Sequence, residues 1–245
     1  MIKVLRTTTS VLFQGHLDKV KMILVSPRES LLKASREGHL EEVRFLVQAG
    51  ADSKTVLEDA LSEASKEGHL EVVMFLVQAG ADSEEVLADA VWLGNQEVVK
   101  VLVQAGPKRR AFRRAFVSAV RLANLEMIKL FMEAGADKRE GLSIATRLGN
   151  LEMVNFFLQA GANPTEGLVT ASQQGHLKVV QFLVLMSDHL DSETIRQALA
   201  MASLNGHLEV VRFLVQVGAD LKAIQEAFAI ASWEGHLEVV KFLQQ

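Results

Sequence analysis

Six of the seven histidines in this 245-residue chain occupy one repeated context, Gly-His-Leu: His16, His39, His69, His176, His207 and His236. Imidazole in a regular series invites a metal or acid-base reading. The spacing argues against a shared ion. Copies one repeat apart on packed helices stand about 10 Å from each other, whereas zinc needs ring nitrogens at about 2.0–2.1 Å. Asn95, Asn124 and Asn150 take the same place in three further copies and would interrupt any ladder of ligands. The expected role is therefore a polar turn residue near a helix start, with no metal centre and no cofactor. Glu41, Glu71, Glu97, Glu126, Glu152, Glu209 and Glu238 follow two residues later. They suit the first turn of a helix, where carboxylates complement the dipole, and no catalytic pairing is implied.

Other chemistries find no support. The chain has no Cys, which excludes disulfides, thiolate metal sites and Cys nucleophiles. Gly-x-x-x-x-Gly-Lys-Ser/Thr, His-Glu-x-x-His and Gly-x-Ser-x-Gly are all missing, so no catalytic residue is assigned and no enzyme is expected. Two features fall outside the repeated pattern. Lys108, Arg109, Arg110, Arg113 and Arg114 place five cations in seven residues, with Arg121 nearby, whereas residues 53–93 hold nine acids and two bases. Phe112, Ala115, Phe116 and Ala119 recur at helical spacing, which turns those arginines outward as a basic ridge. A ridge of this kind could bind an acidic protein, serve as a nuclear-import signal or contact phosphates, or be solvated helix surface. The formal net charge of −4 speaks against a general affinity for nucleic acid or anionic membrane.

The elements that position these residues come from a repeat. Near copies read EGHLEEVRFLVQAGAD (37–52), EGHLEVVMFLVQAGAD (67–82) and NGHLEVVRFLVQVGAD (205–220). Nine anchors follow at spacings of 23 to 31 residues: Gly15, Gly38, Gly68, Gly94, Ala123, Gly149, Gly175, Gly206 and Gly235. After each anchor an apolar stripe such as Leu70, Val72, Val73, Phe75, Leu76 and Val77 has helical period, and defines a helix B closed by Ala-Gly. Before each anchor a narrower face with small residues, as in Leu61, Ala64 and Ser65, defines a helix A that can approach its neighbour closely.

These residues resemble the ankyrin repeat family: Gly-His-Leu-Glu-Val-Val-x-Phe-Leu-Val-x-Ala-Gly-Ala-Asp looks like the second half of such a repeat. Two departures stand out. The Thr-Pro-Leu-His motif is absent, the matching positions reading Asp59-Ala60-Leu61-Ser62 and Glu140-Gly141-Leu142-Ser143. The repeats are also shorter than the usual length of about 33 residues, and the 11 residues between Asp137 and Gly149 leave no room for a β-hairpin finger beside helix A. The fold expected is all-α, an ankyrin-like solenoid of stacked antiparallel helix pairs, forming a single domain over 1–245. The Asp or Asn of Gly-Ala-Asp should cap the next helix A directly, and the longer repeats should lengthen helix A.

The resemblance also implies where a partner binds, since the two positions before each anchor tend to line the family's concave groove. Here they include Trp92, Leu93, Arg121, Leu122, Arg147, Leu148, Leu204 and Trp233, and so contain both tryptophans. Trp and Arg are enriched among binding hot spots; the competing reading tucks these side chains between adjacent helices A. The expected function is a non-catalytic protein-interaction module, the alternative a binder of nucleic acid or another polyanion through the ridge 108–121. No apolar run approaches the roughly 20 residues of a membrane span, and Met1–Ser10 lacks the build of a secretory leader. The expectation is an intracellular protein, monomeric on its own, cytoplasmic, with nuclear entry through 108–114 open. Shortened repeats of this kind are frequent in bacterial effectors and large viruses, so the resemblance also allows a host-directed role. Val11-Leu12-Phe13-Gln14-Gly15 is similar to a tag-cleavage sequence, yet Gly15, His16, Leu17 and Val20 fall in register with the other copies and are read as a first, degenerate repeat.

Overall fold

The computed structural model describes residues 26–187 and 190–245. The first anchor, Gly15, and its repeat lie outside the described residues, as does His189. Among the described residues there are sixteen helices and no strand. Helices A and B alternate: α1 Pro27–Glu37, α2 Leu40–Gln48, α3 Lys54–Glu67, α4 Leu70–Gln78, α5 Glu84–Trp92, α6 Gln96–Gln104, α7 Arg109–Arg121 and α8 Leu125–Glu133. The series continues with α9 Lys138–Leu148, α10 Leu151–Gln159, α11 Pro164–Gln173, α12 Leu177–Leu185, α13 Ser192–Leu204, α14 Leu208–Val217, α15 Leu221–Glu234 and α16 Leu237–Leu243. The described residues divide into two compact units, the first ending at Ser118 and the second beginning at Ala119, within α7.

Each unit is built in the same way. In the first, helices A (α1, α3, α5) pack side by side, helices B (α2, α4, α6) do likewise, and each A packs on the B that follows it. In the second, α9, α11, α13 and α15 make the A layer, and α10, α12, α14 and α16 the B layer. The core between layers comes chiefly from the positions four, five and eight after the anchor in helix B, such as Val72, Val73 and Leu76, or Met153, Val154 and Phe157, all at most 1% exposed. Burying one such side chain contributes about 1.5–3 kcal/mol, and only stacking supplies the cover. Helix A contributes small residues, Ala60 and Ala64 beside Leu61 for example. Gly141 carries this to its limit: a Cβ there would lie 2.3 Å from the Phe157 ring.

The turn from A to B takes two or three residues. Helix A ends with the anchor in the left-handed region, φ 76° at Gly38 and 71° at Gly206, and the next N–H reaches back to close the helix, as His39 N–H does to the Ala34 carbonyl at 2.9 Å. Ala123 is the exception among the anchors, a non-glycine held at φ 53°. From B to A the cap expected of the Gly-Ala-Asp motif is present in unit 2. Asp137 Oδ1 accepts from the Arg139 N–H at 2.9 Å, Asn163 Oδ1 from Thr165 at 3.1 Å and Asp220 Oδ1 from Ala223 at 2.7 Å. In unit 1 the start shifts by one residue, to Ser53 and Ser83, whose own side chains make no cap bond. Asp82 still accepts from the Glu84 N–H at 3.0 Å. The longer repeats do extend helix A, to 14 residues in α3 and α15 against 10 in α11.

Candidate functional site

The anchor histidines turn out to join repeats. His69 directs Nε2 at the Arg36 carbonyl of the preceding repeat at 2.9 Å. His176 does the same to Arg147 at 3.0 Å, His207 to Gln173 at 3.0 Å and His236 to Leu204 at 2.9 Å. The acceptor is in each case one of the last carbonyls of a helix A, which has no partner within its own helix. A carbonyl only accepts, so the ring is protonated on Nε2 and donates, and that nitrogen has no lone pair left for a metal. The ring lies flat on the preceding anchor glycine. A Cβ at Gly38 would come within 2.5 Å of His69 Nδ1, and one at Gly206 within 2.6 Å of His236 Nδ1. Asparagine in the same place works differently. Asn95, Asn124 and Asn150 each accept a backbone N–H three residues on, from Val98, Met127 and Met153, and cap their own helix B. Among the described residues no group of three His, Asp or Glu side chains is arranged to hold a metal ion.

Sequence reasoning placed these histidines at helix starts but missed the bond between repeats. The signal that could have found it lies in the anchors: each of His69, His176, His207 and His236 follows a repeat whose anchor is Gly, while the repeat after Ala123 has Asn150. Only a residue without Cβ leaves room for the ring.

The two residues before each anchor come at the C-terminal ends of successive helices A. In unit 1 they are Arg36 and Glu37, Lys66 and Glu67, then Trp92 and Leu93. Glu63 draws the first two cations together, Arg36 Nε donating at 2.6 Å and Lys66 Nζ at 3.0 Å. The hydrogen bond from Arg36 and then that from Lys66 hold the Glu63 carboxyl below the usual range. Trp92 and Leu93 stand in solvent, 62% and 59% exposed. In unit 2 the ends of α9, α13 and α15 present Leu148, Leu204 and Trp233, all exposed, Trp233 at 89%. Leu122, Arg121 and Arg147 are exposed as well. None of these side chains is tucked between neighbouring helices A.

The basic ridge lies on α7 and the residue before it. Ala111, Ala115, Phe116 and Ala119 are buried and Phe112 half-buried, so Arg109, Arg110, Arg113 and Arg114 point outward as the periodicity requires. The ridge does not stand apart from the acidic stretch before it. Lys108 Nζ lies 2.5 Å from Asp82 Oδ2 and 3.9 Å from Glu84, and Arg110 is 3.8 Å from Glu84. The Lys108 hydrogen bond is the largest influence lowering the Asp82 carboxyl, and the same contact raises the Lys108 ammonium.

Comparison with known proteins agrees with the architecture. A family model described as ankyrin repeats, three copies, matches residues 31–111 and 168–245, well over half of the chain. No curated protein matches it.

Proposed function

The chain belongs to the ankyrin repeat family, whose repeats generally mediate protein–protein interaction, and from that premise we propose a non-catalytic module that binds a protein partner along the C-terminal ends of its helices A. The observation that carries this reading is the run of exposed large apolar side chains at those ends: Trp92 and Leu93 in unit 1, Leu122, Leu148, Leu204 and Trp233 in unit 2. Exposed apolar residues scattered singly need no explanation. Here they recur at two adjacent positions of the repeat, just before the anchor, and both tryptophans of the chain are among them. Arg121 and Arg147 stand at the same place in their repeats as the two tryptophans, two residues before the anchor, and Trp and Arg are the types most enriched in hot spots. Nothing is asked of a cofactor or a metal.

Among the described residues no helix is long and apolar enough to cross a membrane. A cytoplasmic setting and a monomeric resting state belong to the same proposal.

The test is a capture from cell lysate with three baits: the unaltered chain, Trp92→Ala, and Trp233→Ala with Leu204→Ala. A protein identified with the unaltered bait is then purified and its affinity measured against all three. The reading requires weakening by the edge substitutions at unchanged thermal stability. A partner that binds all three baits equally overturns it.

A further inference from the structure

Unit 1 carries an alternating line of charges across three successive repeats. Glu58 lies 3.6 Å from Lys54, Lys54 3.7 Å from Asp82, Asp82 2.5 Å from Lys108, Lys108 3.9 Å from Glu84, and Glu84 3.8 Å from Arg110. The line joins the start of α3 to the start of α5 and then to the basic start of α7. Beside it, Arg110 and Arg114 face a cleft whose other walls carry Glu58, Asp59, Glu85 and Asp89. Lys108, Arg110 and Arg114 of the ridge are thus brought by the fold against an acidic surface of the same unit.

We infer that Asp82 and Glu84 mask the basic start of α7 from the phosphate backbone of nucleic acid, as an autoinhibitory contact within unit 1. This goes beyond the docking edge, which lies at the other ends of the helices A and uses other residues. Three observations carry it. Asp82 is a positioned anion: its Oδ1 accepts the Glu84 N–H at 3.0 Å while Oδ2 takes Lys108, so the carboxylate is fixed at a helix start. Lys108 is engaged by both carboxylates, and Arg110 shares Glu84, so one acidic turn covers two of the five cations. Finally, Arg110 and Arg114 share their cleft with six carboxylates, Glu58, Asp59, Asp82, Glu84, Glu85 and Asp89, and over a screening length of about 10 Å these repel a phosphate drawn toward the arginines.

The masking need not stabilise the fold to be effective. The cations of these pairs are largely exposed, Lys108 at 64% and Arg110 at 82% of the side chain, and pairs with an exposed partner contribute little to stability. Affinity for a polyanion depends instead on cations that exchange counter-ions for phosphates. A lysine already matched by a fixed carboxylate gains little by that exchange. Neutralising the carboxylates restores it, and each restored contact adds to the salt dependence.

The experiment measures binding of a fluorescent single-stranded oligonucleotide by anisotropy over a salt series. It compares the full chain, Asp82→Asn with Glu84→Gln, and a charge-matched control, Glu71→Gln with Glu97→Gln on exposed first turns of α4 and α6. Asn at 82 keeps an acceptor for the Glu84 N–H, and circular dichroism melts verify that each variant folds; Glu84→Gln alone serves if the double variant does not. The expected result is binding about fivefold tighter at low salt for the unmasked variant. Its log–log salt slope should be steeper by about 1.4, two contacts at about 0.7 each. Three outcomes overturn the inference: no gain, an equal gain in the control, or a gain that persists when Lys108 and Arg110 are also changed to Gln. A gain for polyglutamate with none for the oligonucleotide overturns the assignment to phosphate.

Discussion

The first two described repeats of unit 1 and the repeats of unit 2 share one plan and finish its exposed edge differently, Trp92 and Leu93 at the end of α5 being the apolar part of the edge in unit 1. At the ends of α1 and α3, unit 1 places Arg36, Glu37, Lys66 and Glu67, and Glu63 gathers Arg36 and Lys66 into one ion-paired group. At the ends of α9, α13 and α15, unit 2 places Leu148, Leu204 and Trp233 with no such closure. The joints beneath are the same: His69 on Gly38 in one, His236 on Gly206 in the other. The lesson is that repeat position determines that a side chain stands at the edge, while residue type determines whether the edge pairs with itself or leaves apolar surface in water.

If the joints are shared, damage to them should be severe and equal in the two units. Gly38→Ala and Gly206→Ala each force a Cβ into a histidine ring and a left-handed backbone onto alanine, a combined cost of about 2–5 kcal/mol. Urea unfolding midpoints read this. Adding His69→Ala or His236→Ala should return the steric part only, and a large disparity between the units would break the comparison at its base.

The edges, by contrast, should differ. Trp233→Ala should cost about 2 kcal/mol or more in partner affinity, whereas Lys66→Ala should cost less than about 1 kcal/mol, the range of exposed ion pairs. Titration calorimetry with an identified partner decides it, and equal losses would show that the ion-paired ends contribute to binding as much as the apolar ones.

A smaller effect belongs to the one anchor that lacks glycine. Ala123→Gly should stabilise the chain by about 1 kcal/mol by removing left-handed strain. A melting temperature that stays put would mean that the backbone there relaxes at no cost.

The smallest expected effects are those of pH. In unit 2 the Arg196 hydrogen bond, followed by that from Gln197, lowers Glu193 to about 2. A carboxyl depressed on folding adds stability above its unfolded value near 4.5 and loses it as pH falls toward about 2. Glu193→Gln should therefore flatten the acid side of the stability curve in that window and leave neutral pH nearly untouched. Glu63→Gln should act likewise in unit 1, below about pH 4.5. An unchanged acid limb in both variants would show that these exposed groups are fully screened.

Much of this was legible in residues. The glycines and the Val-Val-x-x-Leu stripe announce a helix B because a period of 3.6 admits one buried face, and Asp137, Asn163 and Asp220 announce the next helix A because a short acceptor satisfies a free N–H. The ridge on α7 was legible for the same reason. What no local pattern contains is the neighbour. His176 reads as a turn residue until the repeat before it supplies the Arg147 carbonyl, and Lys108 reads as part of a free cationic run until α5 brings Asp82 to it.

The sequence by itself therefore determined the helices, the caps of unit 2, the small-residue faces and the columns of side chains that recur from repeat to repeat, all of which depend on contacts within about one turn of helix. Only the tertiary structure decided what those columns meet. Stacking converts the histidines into bonds between repeats, folds the acidic stretch against the basic one, and leaves Trp92 and Trp233 in water. Each of these outcomes depends on groups 26 to 34 residues apart in the chain or on an accessible surface that exists only once the layers have packed.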